Sequence, residues 1–172
     1  MSQPSPGVAL AWRVGASEAA SSGYPKIECV HLLIGLLSLD KATPRALKDL
    51  GLRPGRIEEI GAEEAAIYGL FEGVSAPPRE LRRNLRLRVR KLPQRPRKMM
   101  SRSPALKAAF ARAEVLAGGG PANSLHLLSV LLEDADPVIV GFVSDHRLGS
   151  ELAGKAAAAA ARTFEGRAES GD

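Results

Sequence analysis

The chain has a single cysteine, Cys29, so no internal disulfide can form, and a reducing cytoplasm is the expected compartment. Aromatic residues make up only 4% of it, too few for the Tyr- and Phe-rich strands of a β-sandwich. No apolar run approaches the roughly 18 residues that would suggest a membrane span. Met1 to Gly7 lacks the basic region followed by an apolar stretch that marks a secretory signal. Acids are scarce in one place. Between Ser75 and Arg102 there are 11 Lys or Arg and one acid, Glu80, which leaves 13 basic and 18 acidic residues for the rest of the chain. The formal charge of +5 therefore divides into a mildly acidic body and one basic strap.

What is present in quantity is Ala and Leu, both strong helix formers, within an apolar fraction of 45% that is ample for a core. Apolar spacing and stop signals predict helices over about Val8 to Ser21, Val30 to Leu39, Pro44 to Leu50 and Pro54 to Phe71. Thr43 is the expected cap of the third. A second series is expected at Ser103-Pro104 (a cap followed by Pro) onward, at Leu125 to Glu133 capped by Ser124, at Pro137 to His146 and at Gly149 to Phe164. The strap lies between Pro77-Pro78 and Pro93 to Pro96. In it Leu85, Leu87 and Val89 alternate with Arg86, Arg88 and Arg90, which reads as a short strand or an extended, solvated linker. The fold class is all-α. The domains expected are a first repeat over 1–74, a basic Pro/Arg-rich linker over 75–102, a second repeat over 103–165 and a frayed polar tail over 166–172.

The repeat is the most informative feature. His31-Leu32-Leu33-Ile34-Gly35-Leu36-Leu37 matches His126-Leu127-Leu128-Ser129-Val130-Leu131-Leu132. Each block follows an Ala-rich helix ending in glycine, Gly23 or Gly118, and leads into a short helix closing at Leu52 or Leu148. These residues, with Ile27 four positions before His31 and Ala122 four before His126, resemble the N-terminal repeat of the Clp chaperone ATPases ClpA, ClpB and ClpC. The resemblance spans about Val8 to Leu148. It implies about eight helices in two four-helix repeats around a pseudo-twofold axis. It also implies a non-catalytic protein-binding module that docks adaptor proteins or unfolded substrates for an AAA+ unfoldase or protease, standing alone or as the N-terminal piece of a larger ATPase. The expected partners are therefore a Clp-type ATPase, adaptors and substrates, with no cofactor and no membrane. The first-turn positions Val30, His31, Leu125 and His126 are the partner-binding candidates. The family places Glu directly before each His; Val30 and Leu125 cannot pair with a guanidinium, so phosphoarginine recognition of that type is not expected.

The competing function is a nucleic-acid-associated regulator acting through Arg79, Arg82, Arg83, Arg86, Arg88 and Arg90, since clustered arginines neutralise phosphates. The strap has no aromatic residue for base stacking. Gly149 to Ala156 falls short of a phosphate-binding loop: no strand is expected before it, and Ala156 has no oxygen for Mg²⁺. Cys29 and His31 lack the further ligands or the convergent base that zinc or catalysis would need. The carboxylates of Glu58-Glu59 and Glu63-Glu64 read as a solvated helix face.

Overall fold

The structure is a computed structural model that describes residues 4–49, 51–72, 74, 76–93 and 100–168. In chain order the elements are α1 (Pro6–Ser21), β1 (Lys26–Ile27), α2 (Cys29–Leu36), a 3-10 turn (Leu39–Lys41), α3 (Pro44–Asp49), α4 (Pro54–Leu70), α5 (Pro78–Arg88), β2 (Ser101–Arg102), α6 (Pro104–Leu116), α7 (Ser124–Leu132), α8 (Pro137–Asp145) and α9 (Ser150–Ala168). The fold is all-α apart from one two-residue parallel bridge, Lys26 with Ser101 and Ile27 with Arg102. Leu50, Gln94 to Met99 and the last four residues of the polar tail lie outside the described residues.

The two halves start in the same way. A Ser-Pro pair opens α1 and α6: Ser5 Oγ accepts the Val8 N–H at 3.3 Å, and Ser103 Oγ accepts the Leu106 N–H at 3.2 Å. In the same register Val8, Ala11 and Gly15 are buried in α1, and Leu106, Ala109 and Ala113 in α6. The central helices also start alike. The Glu28 N–H donates to His31 Nδ1 at 3.1 Å, and the Asn123 N–H to His126 Nδ1 at 3.2 Å. The side-chain cap of α7 is Asn123, whose Oδ1 accepts from Leu125 and His126, rather than Ser124, which is already helical.

The halves join reciprocally. The Ser103 N–H donates to the Ile27 carbonyl at 3.0 Å, and the Ser5 N–H to the Ala122 carbonyl at 3.5 Å. In a twofold relation, if one position touches a second, their repeat equivalents touch in turn; these two bonds satisfy that condition. Glu63 of α4 adds a tie across the junction. Its carboxylate accepts the Gly7 N–H at 3.1 Å, the Ser5 hydroxyl at 2.9 Å and the Ser124 N–H at 2.8 Å. It thus serves the first turns of both α1 and α7, where free N–H groups and the helix dipole favour an anion. This corrects the solvated-face reading for Glu63. Glu58 remains exposed.

The strap corrects a second expectation. Residues 78–88 form α5, with Leu81, Leu85 and Val89 buried at four-residue spacing and Leu87 80% exposed. The apolar period is helical, and Leu87 is the residue out of step with it. α5 packs against α2 and α8.

α1 and α2 approach closely at two glycines. A Cβ on Gly35 would overlap the Ala11 carbonyl, and one on Gly15 would stand 2.9 Å from the His31 carbonyl oxygen. In the second half Val130 takes the place of Gly35, and α6 meets α7 over a looser contact. Gly35→Ala is expected to destabilise the fold by about 2–3 kcal/mol, as overpacking against backbone does. Gly61→Ala, in α4 where a Cβ meets nothing within 4 Å, should stabilise by about 0.5–1 kcal/mol. Glu63→Ala, which strands two backbone N–H groups, should cost about 2 kcal/mol or more. Urea unfolding curves of the three variants check all three values.

Candidate docking groove

The four residues singled out at the starts of the central helices are all in the core: Val30, His31, Leu125 and His126 are each at most 3% exposed. A partner cannot reach these side chains in this conformation, so they do not form a contact surface. The histidines close capping boxes instead. Because each Nδ1 accepts a backbone N–H, the ring proton sits on Nε2. His31 Nε2 is buried with no hydrogen-bond partner, and Tyr24 stands edge-on to the ring at 4.6 Å. Burial pushes the His31 pKa down to about 4 and lowers that of His126 as well. Cys29 is no nucleophile. Burial first, then the Asp134 carboxylate, and then Asp136 and Glu28, raise its thiol pKa far above neutrality.

Of the six strap arginines singled out, three are held by close partners within the fold and a fourth, Arg79, makes a longer contact. Arg82 is buried; its Nη1 donates to the Leu37 carbonyl at 3.2 Å and to Asp40 Oδ1 at 2.6 Å. The carbonyl belongs to the C-terminal cap of α2, where a cation is favoured, and Asp40 is itself only 7% exposed. Asp40 also accepts the Tyr68 hydroxyl, whose pKa is raised by burial first and then by that carboxylate. Arg86 pairs with Glu18 of α1. Arg88 pairs with Asp145 of α8 at 2.5 Å and lowers the pKa of that exposed carboxyl. Arg79 makes a 3.5 Å contact with Asp40 but keeps 76% of its side chain exposed; Arg83 and Arg90 are exposed. The six arginines are thus not one surface.

A concave site opens elsewhere, between α1 and α6, where the two halves meet. It is a groove of about 380 Å³, within the range of ordinary ligand clefts, with Val8, Ala9, Trp12, Phe110 and Ala122 among its walls. Trp12 and Phe110 hold equivalent positions in their helices. Their rings meet edge to face, centroids 6.4 Å apart and planes at 74°, the arrangement that the ring quadrupoles favour. β2 brings the Arg102 guanidinium over the Phe110 ring, 5.0 Å from its centroid, a cation–π contact that orients the charge at the rim. Arg13 and Glu114 complete the polar edge. Both aromatic rings are only partly covered, so each has area left to bury.

Sequence reasoning placed a helix from Ser103-Pro104 onward and singled out neither Phe110 nor Trp12. The signal was present: aligning Ser5-Pro6 with Ser103-Pro104 sets Trp12 against Phe110. Among the described residues no group of three or more His, Cys, Asp or Glu could hold a metal ion, and no helix is long and apolar enough to cross a membrane.

No family model and no curated protein matches the sequence. The chain is similar to a solved structure described as "Preliminary structural investigations of a malarial protein secretion system", with a TM-score of 0.60 and 18% identity over 92% of each chain. The match in structure, at so low an identity, shows the fold alone.

The buried histidine makes stability depend on pH. His31 is neutral when folded and titrates near its ordinary pKa of 6.5 when unfolded. Between about pH 6.5 and 4 the unfolded chain therefore binds the extra proton. Stability is complete above that window and falls as pH drops through it, by roughly 2 kcal/mol at pH 5 relative to pH 7.5. His31→Gln keeps an acceptor for the Glu28 N–H and removes the titration. Urea midpoints at the two pH values should differ clearly for the parent chain and much less for the variant.

Proposed function

We propose that this chain is a non-catalytic docking module of the Clp N-terminal type. Its α1–α6 groove takes a short apolar segment of an adaptor or unfolded protein for an AAA+ unfoldase or protease. One observation carries this reading: an apolar, aromatic-walled groove lies where two repeated halves meet, with Trp12 and Phe110 exposing ring area to a guest. The His-Leu-Leu repeat and the resemblance built on it support the same class. The solved neighbour, described as part of a protein secretion system, is compatible with a role in handling polypeptides. A buried, unpaired thiol suits a reducing cytoplasm.

The energetics suit delivery rather than retention. Each aromatic or leucine side chain buried in the groove contributes about 1.5–3 kcal/mol. Association costs at least about 4 kcal/mol. Two or three anchors therefore leave at most about 5 kcal/mol, an affinity of roughly 0.2 mM or weaker, from which a guest can be passed on. The rim charges Arg13, Arg102 and Glu114 set the orientation of the bound segment. Nucleic-acid binding through the strap is the weaker reading, because Arg82, Arg86 and Arg88 already have carboxylate partners in the fold.

Trp12 is the only tryptophan of the chain, so its fluorescence reports on the groove directly. Titration with a permanently unfolded model protein that has no tryptophan, such as reduced and alkylated ribonuclease A, should shift its emission saturably. The binding should persist at about 0.5 M salt, where surface charge attraction is screened. In a labelled-substrate assay Trp12→Ala and Phe110→Asp should each weaken binding about tenfold or more, a loss of about 1.4 kcal/mol, with the helical circular dichroism unchanged. Saturable binding that neither substitution disturbs, or no binding at all, rules the groove out.

A further inference from the structure

The outward face of α5 is a second, separate surface. Arg79, Arg83 and Leu87 recur every four residues and so form one row along the helix, about 12 Å long. The row points to solvent: the Arg79 side chain is 76% exposed, Arg83 is exposed and Leu87 is 80% exposed. Arg90 and Lys91, both exposed, extend the charge just beyond the helix end, and Glu80 is the sole acid in α5. The opposite row, Leu81, Leu85 and Val89, is buried. α5 thus divides its residues cleanly, except that one leucine lies among the outward arginines.

Two further observations bear on what covers this face. First, the arginines turned inward or sideways already have carboxylates: Arg82 has Asp40, Arg86 has Glu18 and Arg88 has Asp145. Those pairs fix the helix on α1, α2 and α8; in the outer row Arg79 shares Asp40 through a longer 3.5 Å contact and stays 76% exposed, and Arg83 is exposed. Second, α8 packs beside α5 with Gly141 against the Arg88 guanidinium, and its Val140 is 53% exposed. Leu87 in α5 and Val140 in α8 are thus both exposed aliphatic side chains on adjoining helices.

We propose that this row docks an acidic amphipathic helix of a partner protein, independently of the groove. Carboxylates at four-residue spacing on the partner match Arg79 and Arg83, and an apolar residue one turn further along covers Leu87. A nucleic-acid backbone would neutralise the arginines but would desolvate Leu87 against phosphate, with nothing apolar to receive it. The charge sets the encounter and the register; the leucine contact gives the selectivity.

The test uses the full chain and a fluorescein-labelled helical peptide carrying two Glu and one Leu at four-residue spacing on one face. Its comparison probes are the same peptide with that Leu replaced by Ser, a short DNA duplex and phosphatidylglycerol vesicles. Fluorescence anisotropy should show the Glu/Leu peptide binding tightest of the four. Leu87→Ser and Arg83→Glu, both at exposed positions, should each weaken it about tenfold, while Trp12→Ala leaves it unchanged. The Ser-containing peptide should bind weakly and ignore Leu87→Ser. An unchanged affinity in Leu87→Ser, a loss in Trp12→Ala, or duplex or vesicle binding tighter than the peptide overturns the proposal.

Discussion

Neither central helix has a face it can turn to water. All eight residues of α2 and all nine of α7 are buried, so neither can be the amphipathic surface helix that most small domains use. Each must be covered on every side. Most of the architecture follows from that requirement. α1 covers one side of α2 at a distance that Gly15 and Gly35 alone permit. α7 covers another. A further face falls to α5, whose Leu81 and Leu85 are fully buried. The second half meets the same requirement with other material: α9 lies along α7, and Val130 fills the space that Gly35 leaves to the α1 backbone. The strap is helical because a helix presents a row of leucines to that face while sending its arginines to Asp40, Glu18 and Asp145.

The groove is a consequence of joining two such units. The reciprocal bonds from Ser103 to Ile27 and from Ser5 to Ala122 bring the starts of α1 and α6 to the same junction, and Glu63 holds the α1 and α7 termini there with one carboxylate. Once the first turns are fixed, the next turns present Trp12 and Phe110 to each other. Two helices related in this way cannot bury both large rings completely against one another, since each already spends its Val8 or Leu106 row on its own half. Part of each ring is left open between the two helices. The asymmetries between the halves decide its character: Arg102 sits over Phe110 because β2 precedes α6.

Much of this was legible in the sequence where one local signal decided the outcome. Helix extents followed from Pro and Gly stops, and Thr43 and Ser103 cap as their positions predict. The repeat was legible because His31 and His126 open nearly identical leucine blocks. The strap was not, because arginine at alternate positions imitates a strand; only the burial of Leu81 reveals the four-residue period. Trp12 was missed because the repeats were aligned on their histidines, and α1 has 16 residues against 13 in α6, which hides the register of one helix against the other. Glu63 was missed because a carboxylate reaching two distant helix termini leaves no trace in spacing.

The histidine positions show why the site moved away from where the sequence suggested it. A side chain at the first turn of a central helix can face a partner only if that turn stays near the surface. Here Val30 and Leu125 stand beside the capping histidines and are 3% and 2% exposed. A carboxylate in either place would be buried without a cation and would cost several kcal/mol. Apolar residues turn those positions into core, strengthening the two helices that every other element covers. The side chains that the core does not require are the rings between α1 and α6 and the outer row of α5, the two surfaces proposed for recognition. These two surfaces differ in kind. The first is apolar; the second combines exposed arginines with one leucine, and attraction to such charges weakens as salt rises. The two surfaces share no residue, so occupation of one, as proposed, would leave the side chains of the other untouched.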